Sequence, residues 1–73
     1  MYNDEDLTFN TIYEKEDVSY EINIYRVKTD YFGEWTCCKN KEEFKLGKKT
    51  KSSEQAVVGC KINIDAYHYN HFK

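Results

Sequence analysis

Five side chains in this 73-residue chain have the chemistry of metal ligands or of a nucleophilic centre: Cys37, Cys38, Cys60, His68 and His71. Structural zinc takes four nitrogen or sulfur ligands, commonly in spaced pairs. The adjacent Cys37–Cys38 pair is a poor chelate, and His68-x-x-His71 falls at the end of the last apolar segment. A cysteine nucleophile needs a base within reach and an oxyanion site. Cys60 and His68 are eight residues apart. That is about 12 Å along a helix, so one helix cannot bring them together. There is no serine–glycine elbow and no phosphate-binding glycine loop, and three glycines are too few for a nucleotide cradle. The sequence therefore predicts a non-enzyme with no catalytic residue, no metal and no cofactor. The cysteines read as small core residues, and the histidines as partners of a helix C-terminus.

Charge is the stronger signal. The net charge of −2 conceals two opposed segments. Residues 1–17 hold Asp4, Glu5, Asp6, Glu14, Glu16 and Asp17 against Lys15. Residues 39–51 hold Lys39, Lys41, Lys45, Lys48, Lys49 and Lys51 against Glu42 and Glu43. Such segregation predicts steering toward a charged partner, or pairing between the two segments. The lysines, with Phe44 among them, could track a phosphate backbone. The acids, with Tyr2, Phe9 and Tyr13, could instead occupy a basic surface on another protein, since tyrosine is enriched at binding hot spots.

Elements must position these groups. Seventy-three residues make one domain, 1–73, of marginal stability unless a dense aromatic core or a second subunit helps. Seven tyrosines, four phenylalanines and Trp35 can supply that core. Residues 1–6 read as a flexible acidic arm. A short strand is expected over Leu7–Tyr13, then a polar turn over Glu14–Asp17. The clearest strand is Val18–Lys28, where Val18, Tyr20, Ile22 and Ile24 share one face. Thr29–Gly33 reads as a turn, with Asp30 and Gly33 supplying turn chemistry. Glu34–Cys38 returns antiparallel with Trp35 and Cys37 inward. After a turn at Asn40–Glu42, Phe44 and Leu46 mark a last short strand that Gly47 ends.

The rest of the chain is organised around Ser52–Tyr69. Ser52 with Gln55 matches a capping box. Ala56, Val57, Cys60, Ile64 and Tyr67 form one helical stripe. Val58, Ile62, Ala66 and Tyr69 fall on a second face, a candidate contact surface for a partner or a homodimer. Cys60–Ala66 also alternates as a strand would, and β-branched Val57, Val58, Ile62 and Ile64 lower helix propensity. The expected fold is therefore α+β, a three- to four-stranded antiparallel sheet packed by one C-terminal helix, with an all-β fold as the alternative. Trp35, Ile22, Ile24, Phe44, Val57, Cys60 and Ile64 should form the core.

Trp35, Thr36, Phe44, Ser53, Gln55 and Ala56, in this sheet-then-helix order over 18–67, resemble the arm-binding domains of tyrosine recombinases. That resemblance implies DNA binding through a sheet face. The short, proline-free, tyrosine-, lysine- and asparagine-rich chain also resembles small phage-encoded accessory proteins, which implies inhibition of a host enzyme or defence complex. Two functions are thus expected. The first is a protein-binding inhibitor that covers a basic site of a host or cognate protein with Asp4, Glu5, Asp6, Tyr13, Glu14, Glu16, Asp17, Val58, Ile62 and Tyr69. The second is a nucleic-acid-binding module using Lys39, Lys41, Lys45, Lys48, Lys49 and Lys51. No basic n-region or ~20-residue apolar run is present. With an odd cysteine count, the expected location is cytoplasmic, with reduced thiols and no membrane partner.

Overall fold

The computed structural model describes residues 6–72. Four strands are followed by one helix: β1 (Leu7–Lys15), β2 (Val18–Val27), β3 (Asp30–Cys37), β4 (Glu42–Lys45) and α1 (Ser53–Phe72). The strands form one antiparallel sheet in the order β1-β2-β3-β4, and α1 packs across one face. The α+β expectation holds, and the all-β alternative does not.

β2 shows why the sheet faces as it does. Its strict alternation buries Val18, Tyr20, Ile22 and Ile24 on the helix side and leaves Ser19, Glu21 and Asn23 half-exposed on the other. Register carries this division across the sheet. Ile22 lies opposite Trp35, and Trp35 opposite Phe44, so these three share the core face. Glu21 lies opposite Thr36, and Thr36 opposite Glu43, on the open face. Tyr13 and Thr11 of β1, opposite Tyr20 and Ile22, also point to the helix side.

Turn positions differ from those expected. The β1–β2 connection is only Glu16–Asp17, because Glu14 and Lys15 pair with Ser19 and Val18. The β2–β3 connection is Lys28–Thr29, because Val27 pairs with Asp30. Each tight turn puts a non-glycine residue in the left-handed region, Glu16 at φ 58° and Lys28 at φ 60°. The third, longer turn does the same with Lys41 at φ 62°, where the Lys41 N–H donates to Cys37 O at 2.7 Å. Backbone sterics disfavour this region for residues with a Cβ.

Gly33 is no turn residue. It is buried in mid-β3 opposite Ile24. A Cβ there would lie 2.7 Å from Cys60 Sγ and 2.8 Å from Leu46 Cδ1. The missing side chain lets α1 approach the sheet at Cys60, whose thiol burial pushes up to about 11. Leu46, just past β4, fills the neighbouring space and also approaches the position a Gly59 Cβ would take, at 3.1 Å.

The helix starts at its expected cap. The Gln55 N–H donates to Ser52 Oγ at 3.2 Å. Gln55 Oε1 accepts from the Lys51 N–H, one residue before the cap, so the capping box is closed one position early. Three more residues than expected are helical at the far end. The buried stripe is Ala56, Cys60, Ile64, Tyr67 and His68. Of the expected core, Phe44 and Val57 are only half-buried, while Tyr20, Val18 and Cys37 join it. Trp35 stacks on Phe44 with ring centroids 4.3 Å apart and meets Tyr20 and Tyr67 edge-on. All three cysteines are free; Cys37 and Cys60 are core residues as expected, but Cys38 is exposed just beyond β3.

Candidate functional site: an acidic tip tied to a buried histidine

The meander places the β1–β2 turn, the β3–β4 turn and the last turns of α1 at one end of the molecule. Glu14, Glu16 and Asp17 are exposed there, beside Asp65 and Tyr69 of α1. Glu14, Glu16, Asp65 and Tyr69, with Lys15 and His68, line a shallow cleft of about 660 Å³.

His68 anchors this end. It is 3% exposed. Its Nε2 lies 2.9 Å from Glu16 Oε1, and its Nδ1 lies 2.8 Å from the Tyr20 hydroxyl. A carboxylate only accepts, so the Nε2 hydrogen donates to Glu16; in the neutral ring Nδ1 then accepts from Tyr20. Both ring nitrogens are satisfied, and the left-handed Glu16 is held against the helix. A Tyr–His–Glu chain has the parts of a proton relay. Here its tyrosine is fully buried, and desolvation pushes its hydroxyl to about 12. That hydroxyl offers neither an accessible nucleophile nor a base near neutral pH. The relay is a clamp between strand turn and helix.

A second tie lies alongside. Asp65 Oδ1 accepts from the Tyr13 hydroxyl and from Lys15 Nζ, each at 2.9 Å. The Lys15 hydrogen bond holds the Asp65 carboxyl below the usual carboxylate range. The same carboxylate raises the Lys15 ammonium and the Tyr13 hydroxyl. Lys15 and Lys61 both lie over the Tyr13 ring, at 5.6 and 5.2 Å from its centroid. On the other side of the tip, Asn40 donates to the Tyr67 hydroxyl at 2.6 Å, and that hydroxyl donates to Glu42 at 2.8 Å. His71 bonds the Tyr67 carbonyl at the helix C-terminus, as expected of it.

Asp4 and Glu5 lie outside the described residues. Asp6 is half-exposed just before β1. Tyr13 is half-buried rather than free. Val58, Ile62 and Tyr69 are 55%, 62% and 68% exposed along the outer face of α1. The structure therefore gathers Glu14, Glu16, Asp17 and Tyr69 at the tip and sets Val58 and Ile62 farther along the helix.

The lysines are not brought together. Lys39 and Lys41 sit at the tip end, with Lys39 Nζ 5.3 Å from the Phe72 ring centroid. Lys45 is on the open sheet face, 3.8 Å from Glu34. Lys48, Lys49 and Lys51 are at the opposite end, where Lys49 and Lys51 flank Asp30 at 3.3 and 3.7 Å. Among the described residues no ion pair joins 39–51 to 1–17; the basic run pairs with acids of β3. The open face itself carries Glu14, Glu21, Glu34 and Glu43.

His68, expected to partner the helix C-terminus, instead bonds Tyr20 and Glu16 of the first hairpin. It follows Tyr67 at helical spacing from Ile64, but a stripe of apolar residues does not count a histidine. Among the described residues no three His, Cys, Asp or Glu side chains are grouped to hold a metal ion, and no helix is long and apolar enough to cross a membrane. Comparison of the chain with protein-family models, with curated proteins and with solved structures finds no match.

Proposed function

We propose that the chain is a non-enzymatic protein-binding module whose acidic tip covers a basic surface of a partner protein. The observation that supports this reading is the tip. Glu14, Glu16 and Asp17 project from a tight two-residue turn, and the turn is fixed to α1 through His68 and Asp65. A rigid carboxylate cluster loses little freedom on binding, and its field speeds encounter with a cationic site. Tyr69 supplies an exposed aromatic beside the acids. A basic site that handles nucleic acid is the natural target for such a cluster, and occluding it is inhibition. The open sheet face favours this over direct nucleic-acid binding, because its four glutamates repel phosphate.

The test is capture from a host lysate with immobilised protein, run beside a Glu14→Lys/Asp17→Lys variant. Both positions are exposed, and neither belongs to the His68 clamp. A stoichiometric partner held by the parent, released by salt, and lost at least about tenfold by the variant supports the reading. Equal capture by both proteins overturns it. Retention of DNA or RNA at about 50 mM salt would instead favour the lysines.

A further inference from the structure

β1 is a nine-residue edge strand, and among the described residues nothing pairs with its outer side. Natural edges are commonly shortened, charged or broken by proline to prevent pairing. β1 has no proline, and its one lysine lies at its last position. Its bulge is confined to the Leu7–Phe9 end. Leu7, Phe9 and Ile12 are 40%, 45% and 53% exposed, so both faces of the edge show apolar surface.

We propose that this edge binds a second copy of the chain, β1 to β1, antiparallel about a two-fold axis at Thr11. The strand is self-complementary about that residue. With Thr11 opposite Thr11 of the second copy, Phe9 falls opposite its Tyr13 on the helix side, and the converse pair forms on the other side of the axis. Aromatic pairs and threonine pairs are favourable across strands. On the open face the two Ile12 side chains become diagonal neighbours across the axis, within reach of each other.

Charge selects the same arrangement. Phe9 lies in a groove of about 470 Å³ lined also by Glu54, Val57 and Val58. Tyr13 is flanked by Lys15 and Lys61. Placing Phe9 of one copy on Tyr13 of the other brings Glu54 toward the second copy's Lys15 and Lys61, twice by symmetry. Parallel pairing about a two-fold axis would put the two helices on opposite faces and lose these charge pairs. The result is a continuous eight-stranded sheet with both helices on one face. It removes a nine-residue unpaired edge and covers the Phe9–Val58 groove. Dimerisation engages Glu14 and Lys15 at the end of β1 but leaves Glu16, Asp17 and Tyr69 of the tip uncovered, so its failure leaves the proposed function standing.

Sedimentation and light scattering at protein concentrations up to about 1 mM test it. The parent should show twice the 8.8 kDa chain mass. Ile12→Lys and Phe9→Lys should each shift the equilibrium to monomer with unchanged circular dichroism. Glu54→Lys should weaken the dimer at least tenfold, and combining it with Lys61→Glu should restore it. In a Cys38→Ser background, Thr11→Cys should form a disulfide-linked dimer on oxidation, whereas Glu21→Cys should not. A parent that stays monomeric across the range overturns the proposal. So does a dimer that persists in both lysine variants, or one that Glu54→Lys leaves unchanged.

Discussion

At the scale of single residues, two positions decide how tightly the layers close. Gly33 is one, and here the missing atoms matter. Gly33→Ala places a methyl 2.7 Å from Cys60 Sγ inside a packed layer. Overpacking of this kind costs about 1–3 kcal/mol, and a urea titration should show it as a lower midpoint at unchanged slope. Cys60→Ala in the same chain should recover part of the loss by vacating the contact. His68 is the other. Tyr20→Phe strands Nδ1 of a buried imidazole, a loss of about 1–3 kcal/mol. The pH dependence has a definite sign. Folding raises the Tyr20 hydroxyl from 10.0 to about 12. Its contribution is therefore complete below pH 10 and is lost as pH rises toward 12. Alkaline unfolding should be shallower in Tyr20→Phe than in the parent over that window, as followed by fluorescence of Trp35. Neither role was open to sequence reasoning. Gly33 sits next to turn-forming residues and reads as one of them, while only the register of β3 against α1 reveals the close approach. A histidine at the edge of an apolar stripe reads as a terminal, solvated side chain until a partner 48 residues away is placed on it.

At the scale of elements, the legible parts were those with a strong local signal. β2 alternates cleanly from Val18 to Ile24, and the helix carries a true cap in Ser52. The cap and the stripe length outweighed the β-branched residues that made Cys60–Ala66 look like a strand. β1 was faint because an edge strand exposes both faces, so its alternation carries little contrast. The turns were misplaced for a related reason. Strand pairing closes them to two residues, and the chain accepts left-handed backbone at Glu16 and Lys28 instead of using glycine. Among the described residues the Lys28 side chain makes no hydrogen bond or ion pair, and its backbone carbonyl, which accepts from Arg26 Nε at 3.1 Å, is kept by any substitution. Asparagine tolerates the left-handed region better. Lys28→Asn should therefore stabilise the protein by about 0.5–1 kcal/mol, measurable as a raised thermal midpoint.

At the scale of the whole molecule, the distribution of charge is the property that folding rearranged most. A basic run of thirteen residues reads as one patch. The β3–β4 hairpin instead sends Lys39 and Lys41 to one end and Lys48, Lys49 and Lys51 to the other, because β4 lies between them. The acids behaved differently. Glu14, Glu16 and Asp17 bracket a single turn, so folding keeps them together and adds Asp65 from 48 residues beyond Asp17. Adjacency in a turn survives folding; adjacency along a strand does not.

The two ties from α1 to the first hairpin, Asp65 to Tyr13 and Lys15 and His68 to Glu16, both lie at the same end of β1. The strand is thus fastened like a plank nailed at one end. Its local opening should run from Leu7 inward. In amide hydrogen exchange, protection should climb from Leu7 toward Lys15, with proteases entering β1 from its Leu7 end. Asp65→Asn removes the charge that holds Lys15 and should flatten that gradient while leaving β2 and β3 unchanged. If two copies share the edge, the antiparallel match lays the loose end of each strand against the nailed end of the other. The gradient should then disappear at high protein concentration and return on dilution, a signature of assembly written in exchange rates along one strand.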